Sequence, residues 1–196
     1  MAPPVLILGS SSRYRAALLQ RLGLDFIQRS PDIDETPHAE EDVATLVARL
    51  AREKALAIAK HEPRALIIAS DQAAAIGNTI LGKPGNAENA LRQLQQLQGQ
   101  TVTFYTSLCL YDAGARRAEE ALDQTRVVFR ALSDRALTGY IDREQPFDCA
   151  GAFKSEGLGV ALFEAIHSED PTALIGLPLI ALCGLLARAG LPVLES

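Results

Sequence analysis

The chain of 196 residues has no basic excess, since 19 lysines and arginines stand against 24 aspartates and glutamates for a net charge of -5. Binding to a nucleic-acid polymer is driven by a basic surface that this composition does not supply overall, which leaves room only for a local basic pocket. Long apolar runs are also missing. The longest, residues 174–186, is broken by Gly176, Pro178 and Gly184 and is too short to span a bilayer, so no membrane partner is expected. No N-terminal segment joins a basic start, a long apolar run and a small-residue cleavage site, so the expectation is a cytoplasmic protein. Cysteine is scarce: Cys109, Cys149 and Cys183 are odd in number and far apart. They fit neither a zinc pattern nor a disulfide framework and read as small core or near-surface thiols. No GxxxxGK[ST] string occurs, which argues against a P-loop nucleotidase. Internal repeats, low-complexity tracts and domain linkers are absent too.

What is there is a soluble, globular composition, 48% apolar and 22% charged. It is long enough to close one sizeable core, or two small lobes sharing a cleft, and is read as a single domain over residues 1–196. The organising stretch is Ala65 to Gln72, ALIIASDQ. An apolar run fit for a buried strand ends there in Ser70, Asp71 and Gln72, where an α/β protein places residues that face a ligand. Asp71 is the candidate base, with turn formation or helix capping as its plainer reading.

Around it stand other polar groups. Val5 to Leu8 reads as a short buried strand, followed by the turn Gly9, Ser10, Ser11, Ser12 and a helical pattern carrying Leu18, Leu19 and Leu22. Strand, small-residue turn and helix make an anion site when the first-turn N–H groups, serine hydroxyls and Arg13 or Arg15 converge. An ordinary serine N-cap explains the same residues equally well. Phe26 to Arg29 is a second strand leading into an acidic loop, Asp32, Asp34 and Glu35 between Pro31 and Pro37. One or two of these acids suit a hard divalent cation such as magnesium beside a triphosphate; a solvated loop is the alternative. The helix expected over Glu41–His61 has Lys54 one turn after Leu50, on or beside its buried stripe, either snorkelling to solvent or aiming its charge into a pocket.

Further along, Gly77 and Asn78 signal a hairpin whose return ends at Gly82, Lys83, Pro84. Asn86 is expected to cap a helix closed by Gly99. Thr101 to Tyr111 alternates cleanly as the clearest strand of the chain, with its partner expected over Thr125–Ala131 after a charged, exposed connection. Ser133 is read as a helix cap, Phe147 to Gly159 as a loop whose glycines permit close approach of a ligand, and Val160 to Phe163 as a strand. Asp170 and Pro171 open a short helical turn, and Pro178 begins the last helix.

GSSSRYRAALL, DETP, EKA, SDQ, GKP, VTFYT, CAGAFKSEG and GLPLIAL occur in this order, and together they resemble the Maf family of nucleoside triphosphate pyrophosphatases over essentially the whole chain. The aromatic after SSSR and the FKSEG segment are similar to the subgroup acting on 7-methyl-GTP, rather than the one acting on dTTP and UTP. Arg13 departs from the family, which usually has proline there.

The resemblance implies an α/β, ITPase-like fold: an elongated mixed sheet flanked by helices, with two lobes around a central cleft. It also implies hydrolysis of a small-molecule nucleoside triphosphate to a monophosphate and pyrophosphate. Asp71 would be the proton acceptor, a role that suits a carboxylate able to orient water toward the α-phosphorus. Ser10, Ser12, Arg15, Lys54 and Lys83 match the phosphate-binding positions. Glu35, and Asp71 with it, would serve a magnesium or manganese ion, or Glu35 would orient the water. Tyr14, Gln72 and Glu156 match the positions that set base preference. N7 methylation makes guanine cationic, which suits an aromatic face and a carboxylate that accepts the N1 and N2 hydrogens. Packing of Tyr14 on its own helix and solvation of Glu156 are the plainer readings. A dTTP/UTP pyrophosphatase is the nearest rival, and a nucleotide-binding regulator of septum formation without turnover is the rival of another class. Whether homodimers form is open at this stage.

Overall fold

The computed structural model describes residues 4–77 and 79–195. In chain order the strands are β1 (Leu6–Gly9), β2 (Ile27–Arg29), β3 (Leu66–Ile76), β4 (Thr79–Leu81), β5 (Thr101–Asp112), β6 (Arg117–Phe129) and β7 (Phe163–His167). The helices are α1 (Arg13–Gln20), α2 (Val43–Ala59), α3 (Ala87–Leu97), α4 (Asp134–Glu144) and α5 (Leu179–Arg188). One mixed sheet runs β2-β1-β3-β5-β6-β7, with β4 paired to β3.

By compactness the chain forms two units, one of residues 1–72, 106–123 and 170–196, the other of residues 73–105 and 124–169. In the first, β1 pairs parallel with both β2 and β3, Ile7 lying opposite Ile27 and Ile67. Parallel strands are covered on both faces and so read as continuous apolar runs, which is why LIL and LIIA lack alternation. Leu6, Leu8, Leu66 and Ile68 point to one side, against Leu18 and Leu19 of α1 and Leu182, Leu185 and Leu186 of α5. Ile7, Ile67, Ala69 and Cys109 point to the other, against Ala51, Ala55 and Ile58 of α2. Side chains alternating along each strand thus serve two cores. Burial pushes the Cys109 thiol up to about 12, and all three cysteines are free.

The second unit is centred on four phenylalanines. Phe153 meets Phe104, Phe129 and Phe163 edge to face at centroid distances of 5.1, 5.6 and 4.7 Å, the geometry that places positive ring edges on negative faces. Asn86 Oδ1 accepts from Asn89 N at 2.9 Å as the α3 cap, and Ser133 Oγ accepts from Ala136 N at 3.4 Å as the α4 cap. β3 and β4 pair antiparallel with Ile76 opposite Thr79; Asn78, expected in the turn between them, lies outside the described residues.

Three boundaries differ from expectation. β3 does not stop at Ser70–Gln72 but continues to Ile76, so Asp71 lies within a strand, at the point where the chain leaves the first unit. β6 begins at Arg117 rather than Thr125, because its charged residues are held by ion pairs, Glu120 with Arg52 and Glu119 with Arg188, each at 2.6 Å. β7 begins at Phe163, and residues 158–162 before it form a 3-10 turn. A Cβ on Gly159 would sit 2.2 Å from the Lys154 carbonyl oxygen. The close approach this glycine permits is therefore to the chain's own backbone.

Candidate active site

The polar groups of the first unit gather around Lys54. The buried stripe of α2, with Val43, Leu46, Val47 and Leu50, places Lys54 inward, where its side chain is buried rather than reaching solvent. Its Nζ donates to Asp71 Oδ1 at 2.5 Å and lies 2.7 Å from Glu35 Oε1. One buried ammonium thus bridges two carboxylates, from β3 and from the acidic loop.

Glu35 is delivered there by its neighbours. Asp34 Oδ1 accepts from Thr36 N and Oγ1 at 2.9 and 2.6 Å, forming a tight turn of the kind aspartate favours. Arg49 then ties down the far side of the loop, donating to the Thr36 carbonyl at 3.2 Å and to both Glu41 oxygens at 2.7 and 2.8 Å. Those bonds hold the Glu41 carboxyl down at about 2.

Burial pushes the Asp71 carboxyl above the ordinary aspartate range, and Lys54 and Arg15 pull against that shift. Its Oδ2 has no hydrogen bond within the described residues, among which the one fully buried side-chain polar atom without a partner is Gln93 Oε1. Solvent therefore reaches Oδ2. The side chain has one oxygen anchored to a cation and the other open to water, and its shifted pKa makes it a stronger base than a surface aspartate.

Between β1 and α1, Ser10 Oγ accepts from Ser12 N at 3.1 Å, and Ser12 Oγ caps α1 through Arg15 N at 3.3 Å. Ser12 is thus the N-cap of α1. Gln28 Nε2 donates to the Ser10 carbonyl at 2.7 Å, fixing the turn to β2. Arg13 takes the first helical position, after the intact Ser12 cap. Arg15 donates through Nε to the Gly176 carbonyl at 2.8 Å and through Nη1 to Ser10 Oγ at 3.4 Å. Desolvation lowers its pKa, opposed by Asp71 and Glu35.

Gly176, Thr106, Ala173 and Leu174, none of them expected as site residues from the sequence, complete the surroundings as partners of Ser70 and Gln72. Ser70 Oγ, fully buried, also donates to the Gly176 carbonyl at 2.8 Å. Gly176 has φ +120°, a conformation that disfavours side chains, and a Cβ there would meet Arg15 Nε at 3.3 Å. Gln72 Nε2 lies 2.9 Å from Thr106 Oγ1 and 2.9 and 3.1 Å from the carbonyls of Ala173 and Leu174. Because carbonyls only accept, they fix the amide orientation, with Nε2 as the end that meets them. Residues 170–179 are held in turn by Asp170 and Thr172: Asp170 Oδ2 accepts from Ile180 N at 2.6 Å and Thr172 Oγ1 from Leu179 N at 2.8 Å, capping α5. A buried hydroxyl such as Thr106 inside an apolar strand pattern was the available signal, since such a group needs a partner.

Tyr14 is half-buried in the first turn of α1. Lys83 and Glu156 belong to the second unit, where both are exposed; Glu156 Oε2 accepts from Ser155 Oγ at 3.2 Å. Lys154 instead reaches back to the Glu144 carbonyl at 2.8 Å, near the end of α4. Among the described residues no group of three or more His, Cys, Asp or Glu side chains converges on one point, and no helix is long and apolar enough to cross a membrane. Asp71 and Glu35, which share the Lys54 ammonium, are carboxylates of the chemistry a hard cation takes when phosphates and water complete its shell.

Comparison with known proteins extends over nearly the whole chain. A 7-methyl-GTP pyrophosphatase of Nitrosococcus oceani is 52% identical over 193 residues, 98% of this chain and 97% of its own. Proteins of the same name from Alcanivorax borkumensis and Cupriavidus metallidurans are 52% and 53% identical, over 95% and 96% of this chain and 95% of each of theirs. Among solved structures, the Staphylococcus aureus Ham1 protein is similar at a TM-score of 0.47 and 12% identity, over 63% of this chain and 71% of that one. The pattern of the Maf-like protein family matches residues 5–189, and the chain belongs to that family.

Proposed function

We propose that the protein hydrolyses 7-methyl-GTP to 7-methyl-GMP and pyrophosphate, acting as one Maf-like domain on a small cytoplasmic nucleotide. The reading is carried by the relatives of that name, 52–53% identical over nearly the full chain. The Lys54 bridge between Asp71 and Glu35 supports the chemistry.

In this reading Asp71 accepts a proton from the attacking water through Oδ2. The water oxygen bonds to the α-phosphorus, the bond from that phosphorus to the α–β bridging oxygen breaks, and pyrophosphate leaves with the bond's electron pair. The raised pKa brings Asp71 closer to working pH while Lys54 keeps it ionised. Arg15, Lys54 and Lys83 offset phosphate charge, and Ser10 and Ser12 offer hydroxyls at the turn before α1. Asp71 and Glu35 would hold a magnesium or manganese ion, which when bound offsets charge on the leaving pyrophosphate.

Base choice falls to three side chains on chemical grounds. Tyr14 offers a ring face to the cationic methylated base, and Glu156 a carboxylate to the N1 and N2 hydrogens. Gln72 presents its Oε1 acceptor.

The test is pyrophosphate release from 7-methyl-GTP, GTP, UTP and dTTP with magnesium or manganese, using Asp71→Asn as control. Preference for 7-methyl-GTP, lost in the variant, is expected. Preference for UTP or dTTP would overturn the base assignment, and binding without release would point to a regulator.

A further inference from the structure

Arg13 lies against Tyr14, the residue assigned to the base. Its guanidinium carbon sits over the Tyr14 ring, 4.8 Å from the centroid, and its Nη2 donates to the Tyr14 hydroxyl at 2.8 Å. The ring holds a cation through the negative charge of its face, and each contact draws on the same electrons. A second cation approaching that ring is attracted less and is repelled by the first. Neutral guanine loses far less, because its stacking depends little on that field. We propose that Arg13 is a specificity-determining residue that competes with a cationic base for Tyr14 and so restrains the preference for 7-methyl-GTP over GTP. The inference rests on the reading that Tyr14 meets the base.

The experiment compares kcat/KM for 7-methyl-GTP and GTP in the wild type, Arg13→Ala, Tyr14→Leu and the double variant. Both substrates carry the same triphosphate, so any contact between Arg13 and phosphate cancels in the ratio. An exposed cation–π contact is strong enough for Arg13→Ala to raise the ratio about two- to fivefold, mainly through the KM for 7-methyl-GTP. In the Tyr14→Leu background the Arg13 substitution should raise the ratio by less, because only direct repulsion between the two cations remains. Arg13 is exposed at the first turn, so the fold tolerates its loss; Arg13→Pro, suited to the first helical position, should repeat the rise. An unchanged or lowered ratio in Arg13→Ala, or an equal rise without Tyr14, would overturn the inference. A wild type that does not favour 7-methyl-GTP over GTP would overturn the functional reading instead, whatever Arg13 does.

Discussion

Replacing Lys54 by methionine keeps the apolar stem and removes the charge, so it isolates what one buried ammonium contributes. Its two contacts are unequal. The Asp71 side chain is 12% exposed and that of Glu35 59%, and an exposed pair contributes about 0–1 kcal/mol. Breaking the buried arm leaves an unpaired carboxylate in a desolvated place, a loss of about 3–5 kcal/mol. Asp71 escapes part of that loss by taking up a proton. Burial already raises its pKa, and Lys54 is the strongest of the influences lowering it, so without Lys54 the folded-state value climbs further. A carboxyl with a raised folded pKa gives the folded state an extra proton. That advantage is fully present below the unfolded value near 3.9 and is lost as pH rises through the folded one. Urea unfolding of Lys54→Met against wild type should therefore show the full deficit at about pH 8 and a smaller one at about pH 5. An equal deficit at both, or a larger one in acid, would refute the pairing as the source of the loss.

Three further outcomes follow from the same geometry. The acid limb of kcat/KM against pH should fall at a pH above that of an ordinary aspartate, because burial raises Asp71; a limb at the ordinary position would remove Asp71 from that limb. Glu156→Gln, on an exposed side chain, should change stability by no more than about 0.5 kcal/mol while weakening the preference for the methylated base, as unfolding curves and paired kinetics would show. Gly159→Ala should destabilise by about 1–3 kcal/mol, since the new methyl meets a backbone oxygen rather than a movable side chain; an unshifted thermal midpoint would contradict this.

The elements that could be read from the sequence are those whose cause is local. β1, the first part of β3, and β5 announce themselves through apolar runs or alternation, and Asn86 and Ser133 through cap chemistry. The first half of β6 could not be recognised, because its glutamates are satisfied by Arg52 and Arg188, each more than sixty positions away in sequence. The same limit applies in the site. Periodicity places Lys54 on the inner face of α2, but only the fold supplies Asp71 and Glu35 as its partners. The orientation of Gln72 depends on carbonyls at 173 and 174, which no local pattern connects to SDQ. Arg13 shows the reverse case: its place over Tyr14 is a contact between neighbours, yet composition gives no reason to expect it.

The most direct measurement is hydrolysis of 7-methyl-GTP in oxygen-18 water, with mass analysis of both products for the wild type and Asp71→Asn. Water attack at the α-phosphorus with Asp71 as base predicts one heavy oxygen in 7-methyl-GMP and none in pyrophosphate. It also predicts that turnover falls by about 10²- to 10⁴-fold in the variant. Label in the pyrophosphate, or a variant as fast as the wild type, would contradict the account.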